Sequence, residues 1–173
     1  TGGGNDFVVL DNRNGSIAEN YSAIAKKLCD RKFSVGADGL LVLEKADGAD
    51  FKMVYYNADG SRADMCGNGA RCISRFAYIH KLAAENMKFI TDAGVLSAEI
   101  KADSVKLQMS AHKDLRLDHI IKLDDNKTID VSFVNTGVPH AVVMVSEIEK
   151  LDVHHLGQMI RHHKEFGPAG TNA

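Results

Sequence analysis

Several things are scarce in this sequence, and each scarcity excludes something. Only three cysteines occur in 173 residues. An odd count does not make a disulfide framework, so a reducing, cytoplasmic setting is the expectation. No apolar run approaches the roughly 18 residues that cross a bilayer, so no membrane partner is expected. The opening Thr1-Gly2-Gly3-Gly4-Asn5 lacks the charged-then-apolar order of a secretion signal. The formal net charge of −2 provides no basic surface for nucleic acid or an anionic membrane. What is present is an ordinary globular mixture, 45% apolar and 25% charged, long enough for one core or one core and part of a second. The chain opens without Met and stops on Gly170-Thr171-Asn172-Ala173, a tail unlike a finished element. A fragment, or a partly ordered protein, is expected.

Patterning predicts an α+β fold. Phe7 to Leu10, Leu40 to Leu43 and Phe51 to Tyr56 read as buried strands. Ser16 followed by Glu19 reads as a capping box opening a helix with Ile17, Tyr21, Ile24 and Leu28 on one face. The segment from Asn68 to Leu82 is apolar over most of its circumference, which predicts a helix enclosed by strands. Met87 to Thr91, Val95 to Ile100 and Val105 to Met109 read as a meander. The polar stretch Lys113 to Lys127 is the best candidate for a domain crossing. Asp130 to Val134 and Ala141 to Val145 are again strands, and Asp152 caps a helix from Val153 to His162. The order suggests curved sheet wrapped around the apolar helix.

The chemistry concentrates in Asn57-Ala58-Asp59-Gly60-Ser61 and Met65-Cys66-Gly67-Asn68-Gly69-Ala70-Arg71-Cys72. A cysteine placed where a helix opens meets unpaired N–H groups and a partial positive charge, which favour a thiolate. The same N–H groups can hold a carboxylate, and glycines let a ligand approach the backbone. A thiolate and a carboxylate cradle together could act on the carbon beside that carboxylate. The competing reading makes Cys66 a small buried hydrophobe and the glycines mere turns. Cys72, well inside the helix, and Cys29, at the end of the first, read as packing residues. Asp59 and Asp64 read as turn and helix-start residues. The pairs His154-His155 and His162-His163 read as one solvated helix face in preference to a metal site, and His140 taken alone as a satisfied core histidine.

The two segments around Cys66 are similar to the first-cysteine signature of the diaminopimelate epimerases. Gly4-Asn5-Asp6-Phe7-Val8-Val9-Leu10-Asp11 resembles that family's amino-terminal motif, and Val35-Gly36-Ala37-Asp38-Gly39-Leu40-Leu41 its second motif. Asn135-Thr136-Gly137-Val138-Pro139-His140-Ala141-Val142 resembles the opening of its second domain, and Gly170-Thr171-Asn172 a later substrate-facing segment. The resemblance implies two similar halves, each a curved sheet or barrel around a central helix, with the active site between them. Residues 1–112 would then be the amino-terminal half and 113–173 an incomplete start of the second. It implies an isomerase of lysine and peptidoglycan precursor synthesis, interconverting LL- and meso-diaminopimelate by two cysteines without pyridoxal phosphate, metal or other cofactor.

Carried over residue by residue, the resemblance makes Cys66 one acid/base thiol and His140 its partner. Asn5, Asn57 and Asn172 become substrate contacts, and Gly67 and Asn68 backbone donors to the α-carboxylate. Two positions depart from the family: some members carry Gln at Gly39 and Asn at Val138. The family's Glu-Arg pair and second Cys-Gly-Ser/Thr-Gly motif are not among these residues, so these 173 residues alone are expected to be inactive. Alternatives from the same reading are a proline or hydroxyproline racemase and a thiol hydrolase with a Cys66–His140 dyad. A homodimer is left open for a full-length protein.

Overall fold

The computed structural model describes residues 1–17, 20–109, 111–123 and 127–173. They form two compact units, Thr1–Ser110 and Ala111–Ala173. Among the described residues no helix is long and apolar enough to cross a membrane.

The first unit is built on one sheet. Strands β1 (Phe7–Asp11), β2 (Gly39–Glu44), β3 (Phe51–Asn57), β5 (Asn86–Thr91), β6 (Gly94–Lys101) and β7 (Ser104–Gln108) lie side by side in that order, and the two-residue β4 (Arg62–Ala63) pairs with β3. β1 runs parallel to β2 and β3 parallel to β5, while β2–β3, β5–β6 and β6–β7 are antiparallel. The expected meander is therefore β5 to β7, and it joins the earlier strands through β3.

Alternation along the strands decides which residues meet which helix. Phe7 and Val9, Leu41 and Leu43, and Phe51, Met53 and Tyr55 face a core that also holds Ala70, Ile73 and Ala77 of helix α2 (Gly67–Ile79). The intervening Val8, Leu10, Leu40, Val42, Val54 and Tyr56 face the opposite core with Tyr21 and Ala25 of helix α1 (Tyr21–Leu28). The central strands are buried on both faces, so they read as continuous apolar runs and not as alternating ones. α2 packs against β1, β2, β3, β6 and β7, which is the curled sheet around a helix that the sequence predicts. The stacked rings of Phe51 and Phe89, 4.9 Å apart, tie β3 to β5 under it.

Two expectations about helices need correction. α1 begins at Tyr21, not after Ser16, and its cap is Asn20, whose side chain accepts from the Ala23 N–H at 3.1 Å. Asparagine serves this role as well as serine does. Ser16 instead sits in a turn, its N–H donating to Asn14 Oδ1, while Glu19 lies outside the described residues. α2 stops at Ile79, three residues short of Leu82, and Ile79 itself is exposed. Only the face carrying Gly69, Ala70, Ile73, Ser74 and Ala77 is fully buried. The apolar circumference therefore overstated how much of the helix the sheet covers.

The second unit has a three-stranded antiparallel sheet ordered β10 (Pro139–Val142), β9 (Thr128–Asn135), β8 (Lys113–Lys122). Helix α3 (Val153–Arg161) is capped by Asp152, which accepts from the His155 N–H at 2.9 Å, as expected. The stretch read as a domain crossing is mostly β8. It is an exposed, polar strand with register shifts either side of Arg116, and Asp114 and Asp118 have φ of 52° and 51°. Leu115, Leu117 and Ile121 alternate at period 2, but Leu115 and Leu117 are exposed, so the alternation among charged residues marks no core face.

Ile73 has no exposed surface and sits between helix and sheet, so Ile73→Ala should lose about 2–5 kcal/mol of stability through the cavity it leaves. Urea unfolding measures this. A loss under about 1 kcal/mol would mean that α2 is not the packing centre of the unit.

Candidate active site

The residues of interest in the first unit meet at one end of the sheet, for reasons of register. Phe7 opposes Gly39, and Gly39 opposes Asn57, so the start of β1, the start of β2 and the end of β3 form one rim. All three side-chain positions lie on the face that packs against α2, because Val9, Leu41 and Tyr55, two residues along each strand, do so. Asn5 precedes β1 by two residues, which brings it to the same rim.

α2 enters at this rim. Cys66 is its N-cap, in extended backbone with φ −140° and ψ 119°, and its Sγ accepts from the Gly69 N–H at 3.4 Å. A Cβ on Gly69 would sit 3.1 Å from Leu41 and 3.5 Å from Met53, so the missing side chain allows the first turn to approach the sheet closely. A Cβ on Gly67 would meet nothing nearer than Arg71 at 4.0 Å, so that side of the turn is open. Among the described residues the N–H groups of Gly67 and Asn68 have no hydrogen-bond partner. They are the orphan donors of a helix start, beside a half-buried sulfur.

The amides around them are held in place. Asn5 Nδ2 donates to Asp38 Oδ2 at 3.0 Å, and its Oδ1 accepts from Asn68 Nδ2 at 2.8 Å. Asn68 Nδ2 also donates to Gly3 O at 3.3 Å, and its Oδ1 accepts from Arg71. The Asn68 side chain is thus occupied in tying the amino-terminal loop to the helix. The Asn57 Oδ1 accepts from the Tyr55 hydroxyl at 2.6 Å, and its Nδ2 donates to Ser61 Oγ at 3.0 Å. Each of Asn5 and Asn57 keeps one N–H and one lone pair unused, which is what a ligand contact needs. Asp59 accepts from the Ser61 N–H and hydroxyl at 2.8 and 2.6 Å, a turn role as read from sequence.

Sequence reasoning missed the salt bridges behind Asn5. Arg31 donates to Asp6 at 2.7 Å and to Asp38 at 2.9 Å. The guanidinium holds the Asp6 carboxyl down to about 2, and the amide of Asn5 is the main cause of the lowered value at Asp38. Asp6 and Asp38 lie in the quoted motifs, but nothing in their spacing pairs them with Arg31. Tyr55 was missed as well, although it stands two residues before Asn57 on the same strand face. Burial pushes its phenol up to about 12, so it remains a neutral donor. Cys29 is buried, and burial raises its thiol value.

In the second unit, His140 and Asn172 come together. They form a parallel bridge in which the Ala141 N–H donates to Asn172 O at 2.7 Å and the Asn172 N–H to Pro139 O at 3.0 Å. His140 Nδ1 lies 2.9 Å from Val138 O. A carbonyl only accepts, so Nδ1 donates to it, and the Thr136 hydroxyl lies 3.4 Å from the same nitrogen. Both residues line a largely apolar cavity of about 300 Å³ with Val143, Leu156 and Ile160. His163 corrects the reading of a solvated histidine face: it is buried, with Nε2 2.9 Å from Lys122 O and Nδ1 accepting from the Glu165 N–H. Among the described residues no group of three or more His, Cys, Asp or Glu could hold a metal ion.

Two outcomes follow from this geometry. Cys66 should be alkylated by iodoacetamide faster than Cys29 and Cys72, as read by peptide mass mapping; faster labelling of Cys72 would refute the helix-start argument. Asp6 has a depressed folded value, so its contribution to stability is fully present above 3.8 and disappears as pH falls through about 2. Asp6→Asn should therefore flatten the acid limb of a melting-temperature profile over that window, and an unchanged limb would remove the network from the account.

Comparison with known proteins identifies the family. A family model described as diaminopimelate epimerase matches residues 1–113. The diaminopimelate epimerases of Hydrogenobaculum sp. and Aquifex aeolicus are 40% and 39% identical over 99% of this chain, which spans 66% and 64% of their lengths. Among solved structures, a phenazine biosynthesis protein of the PhzF family from Bacillus anthracis has a TM-score of 0.62 at 20% identity, covering 84% of this chain and 52% of that one. A probable proline racemase from Agrobacterium radiobacter has a TM-score of 0.60 at 18% identity, covering 87% and 48%. At such identities these two speak for the fold alone. A matched family motif over most of the chain, with Cys66 capping a helix inside it, leaves one assignment: the chain belongs to the diaminopimelate epimerase family.

Proposed function

We propose that this chain carries one half of the catalytic apparatus of an epimerase that interconverts LL- and meso-diaminopimelate, with Cys66 as one of its two acid/base thiols. The observation that carries the reading is the placement of Cys66 Sγ at the start of α2 beside the unpaired N–H groups of Gly67 and Asn68. The thiolate takes the α-proton, and the electron pair left on carbon spreads into the α-carboxylate. Fixed N–H donors at that carboxylate stabilise the developing charge without reorganising. Asn5 and Asn57 bind substrate with their unused N–H groups and lone pairs. The matching motif positions give His140 the role of thiol partner and Asn172 that of a substrate contact.

In this reading the first unit is the amino-terminal half of the enzyme and the second the beginning of the other half. The protein works in the cytoplasm on a small amino acid of lysine and peptidoglycan precursor synthesis, using neither cofactor nor metal. Inversion also needs a proton delivered to the opposite face of the α-carbon. Cys72 is six positions further along the same helix, and Cys29 is buried. Neither can reach that face, so the second acid is not one of the other thiols in these 173 residues.

The test joins the chain to the carboxy-terminal third of the Hydrogenobaculum enzyme. The fusion should convert LL- to meso-diaminopimelate in heavy water with deuterium at the α-carbon, and Cys66→Ala should lower the rate by at least about a hundredfold, as for loss of an acid/base group. The 173 residues alone should form no meso product. Turnover by the Cys66→Ala fusion at the parent rate would defeat the assignment.

A further inference from the structure

The space that a side chain at Gly39 would occupy is filled. A Cβ built on Gly39 would fall 2.6 Å from Tyr55 Cε2, 2.7 Å from the Tyr56 carbonyl oxygen and 3.4 Å from the Tyr55 hydroxyl. Tyr55 projects from β3 across the start of β2, and its ring meets Phe7 of β1 edge-on with centroids 6.1 Å apart. The ring is therefore wedged between strands at the rim that holds Asn5, Asn57 and Cys66. We propose that Tyr55 is a positioning residue of this site: its ring packs over Gly39 at the rim, and its hydroxyl locks the Asn57 amide in the orientation that receives substrate. The proposal rests on the epimerase reading.

The lock follows from counting donors. Ser61 gives its hydroxyl proton to Asp59 at 2.6 Å, so its oxygen accepts from Asn57 Nδ2 at 3.0 Å. Tyr55, kept neutral by burial, gives its proton to Asn57 Oδ1 at 2.6 Å. Both ends of the amide are thereby assigned, and a flip would set donor against donor at one end and leave Oδ1 facing an oxygen with no proton to give at the other. The amide meets its ligand with no reorientation to make, which favours binding. The ring also closes the gap that Gly39 leaves, so position 39 contributes shape through its neighbour and no polar atom of its own.

The experiment uses the fusion to the carboxy-terminal third of the Hydrogenobaculum enzyme and the protection of Cys66 from iodoacetamide by LL-diaminopimelate, with peptide mapping as readout. Tyr55→Phe keeps the ring and removes only the hydroxyl. It should leave the unprotected alkylation rate within about twofold of the parent and raise the half-protecting concentration about tenfold, the scale of one lost hydrogen bond. Equal protection in parent and Tyr55→Phe overturns the role of Tyr55 and leaves the epimerase reading standing. No protection of the parent at any concentration overturns the reading itself, and this proposal with it. A changed unprotected rate in Tyr55→Phe marks a merely structural residue and also overturns the proposal. Should Tyr55→Phe fold poorly, Ser61→Ala, which frees the other end of the Asn57 amide, takes its place: a raised half-protecting concentration is expected, and protection equal to the parent's overturns the lock on the amide.

Discussion

The close approach of the first turn of α2 to β2 and β3 is the constraint from which the rest of the first unit follows. Gly69 permits it, since any side chain there would press on Leu41 and Met53. With the turn seated, Ala70, Ile73 and Ala77 fall into the core against Phe51, Met53 and Phe89, and the unburied part of the turn is left at the sheet's rim. Cys66 caps the helix at the point where apolar packing stops and polar groups begin. The same contact thus serves the hydrophobic core and leaves a sulfur and two N–H groups half-open to a ligand.

The polar layer of the rim behaves as one assembly. Arg31 joins Asp6 to Asp38, Asp38 holds Asn5, Asn5 meets Asn68, and Arg71 completes Asn68. On the other side Tyr55, Asn57, Ser61 and Asp59 form a second chain. The Arg31 bridges are exposed and individually weak. What they contribute is geometry: three segments distant in sequence are brought to one register, so that the groups a substrate would meet are set before it arrives.

Much of this was legible in the residues. The strand runs, the helix after Cys66, the meander and the Asp152 cap all rest on local patterns that tertiary packing did not override. The errors have local causes too. Asn20 caps as well as Ser16 and lies nearer the helix that forms, and β8 sets a few exposed leucines among charged residues, which does not announce a core strand. His163 is buried where the single 3₁₀ turn Lys164–Phe166 follows α3, with its Nε2 2.9 Å from Lys122 O, a contact no helical pattern foretells. At the rim, motifs pointed to Asn5, Asn57, Cys66, Gly67 and Asn68 as candidates; Arg31 and Tyr55 carried no such signal, and Asp38, though inside a motif, had no spacing that pairs it with Arg31.

By itself the sequence determined the chemistry available: a cysteine before glycines at a helix start, amides in loops, and the family to which that pattern belongs. These are short-range features, readable because capping and turn formation depend on a few adjacent residues. Tertiary structure alone decided which groups share the rim. The register of β1, β2 and β3 sets Phe7, Gly39 and Asn57 in one row, and the pleat turns all three toward α2. Strand register depends on the burial of two whole faces at once, so no local window contains it. For that reason the sequence shows only a glycine at position 39, whereas in the fold the Tyr55 ring and the Tyr56 carbonyl fill the space beside it.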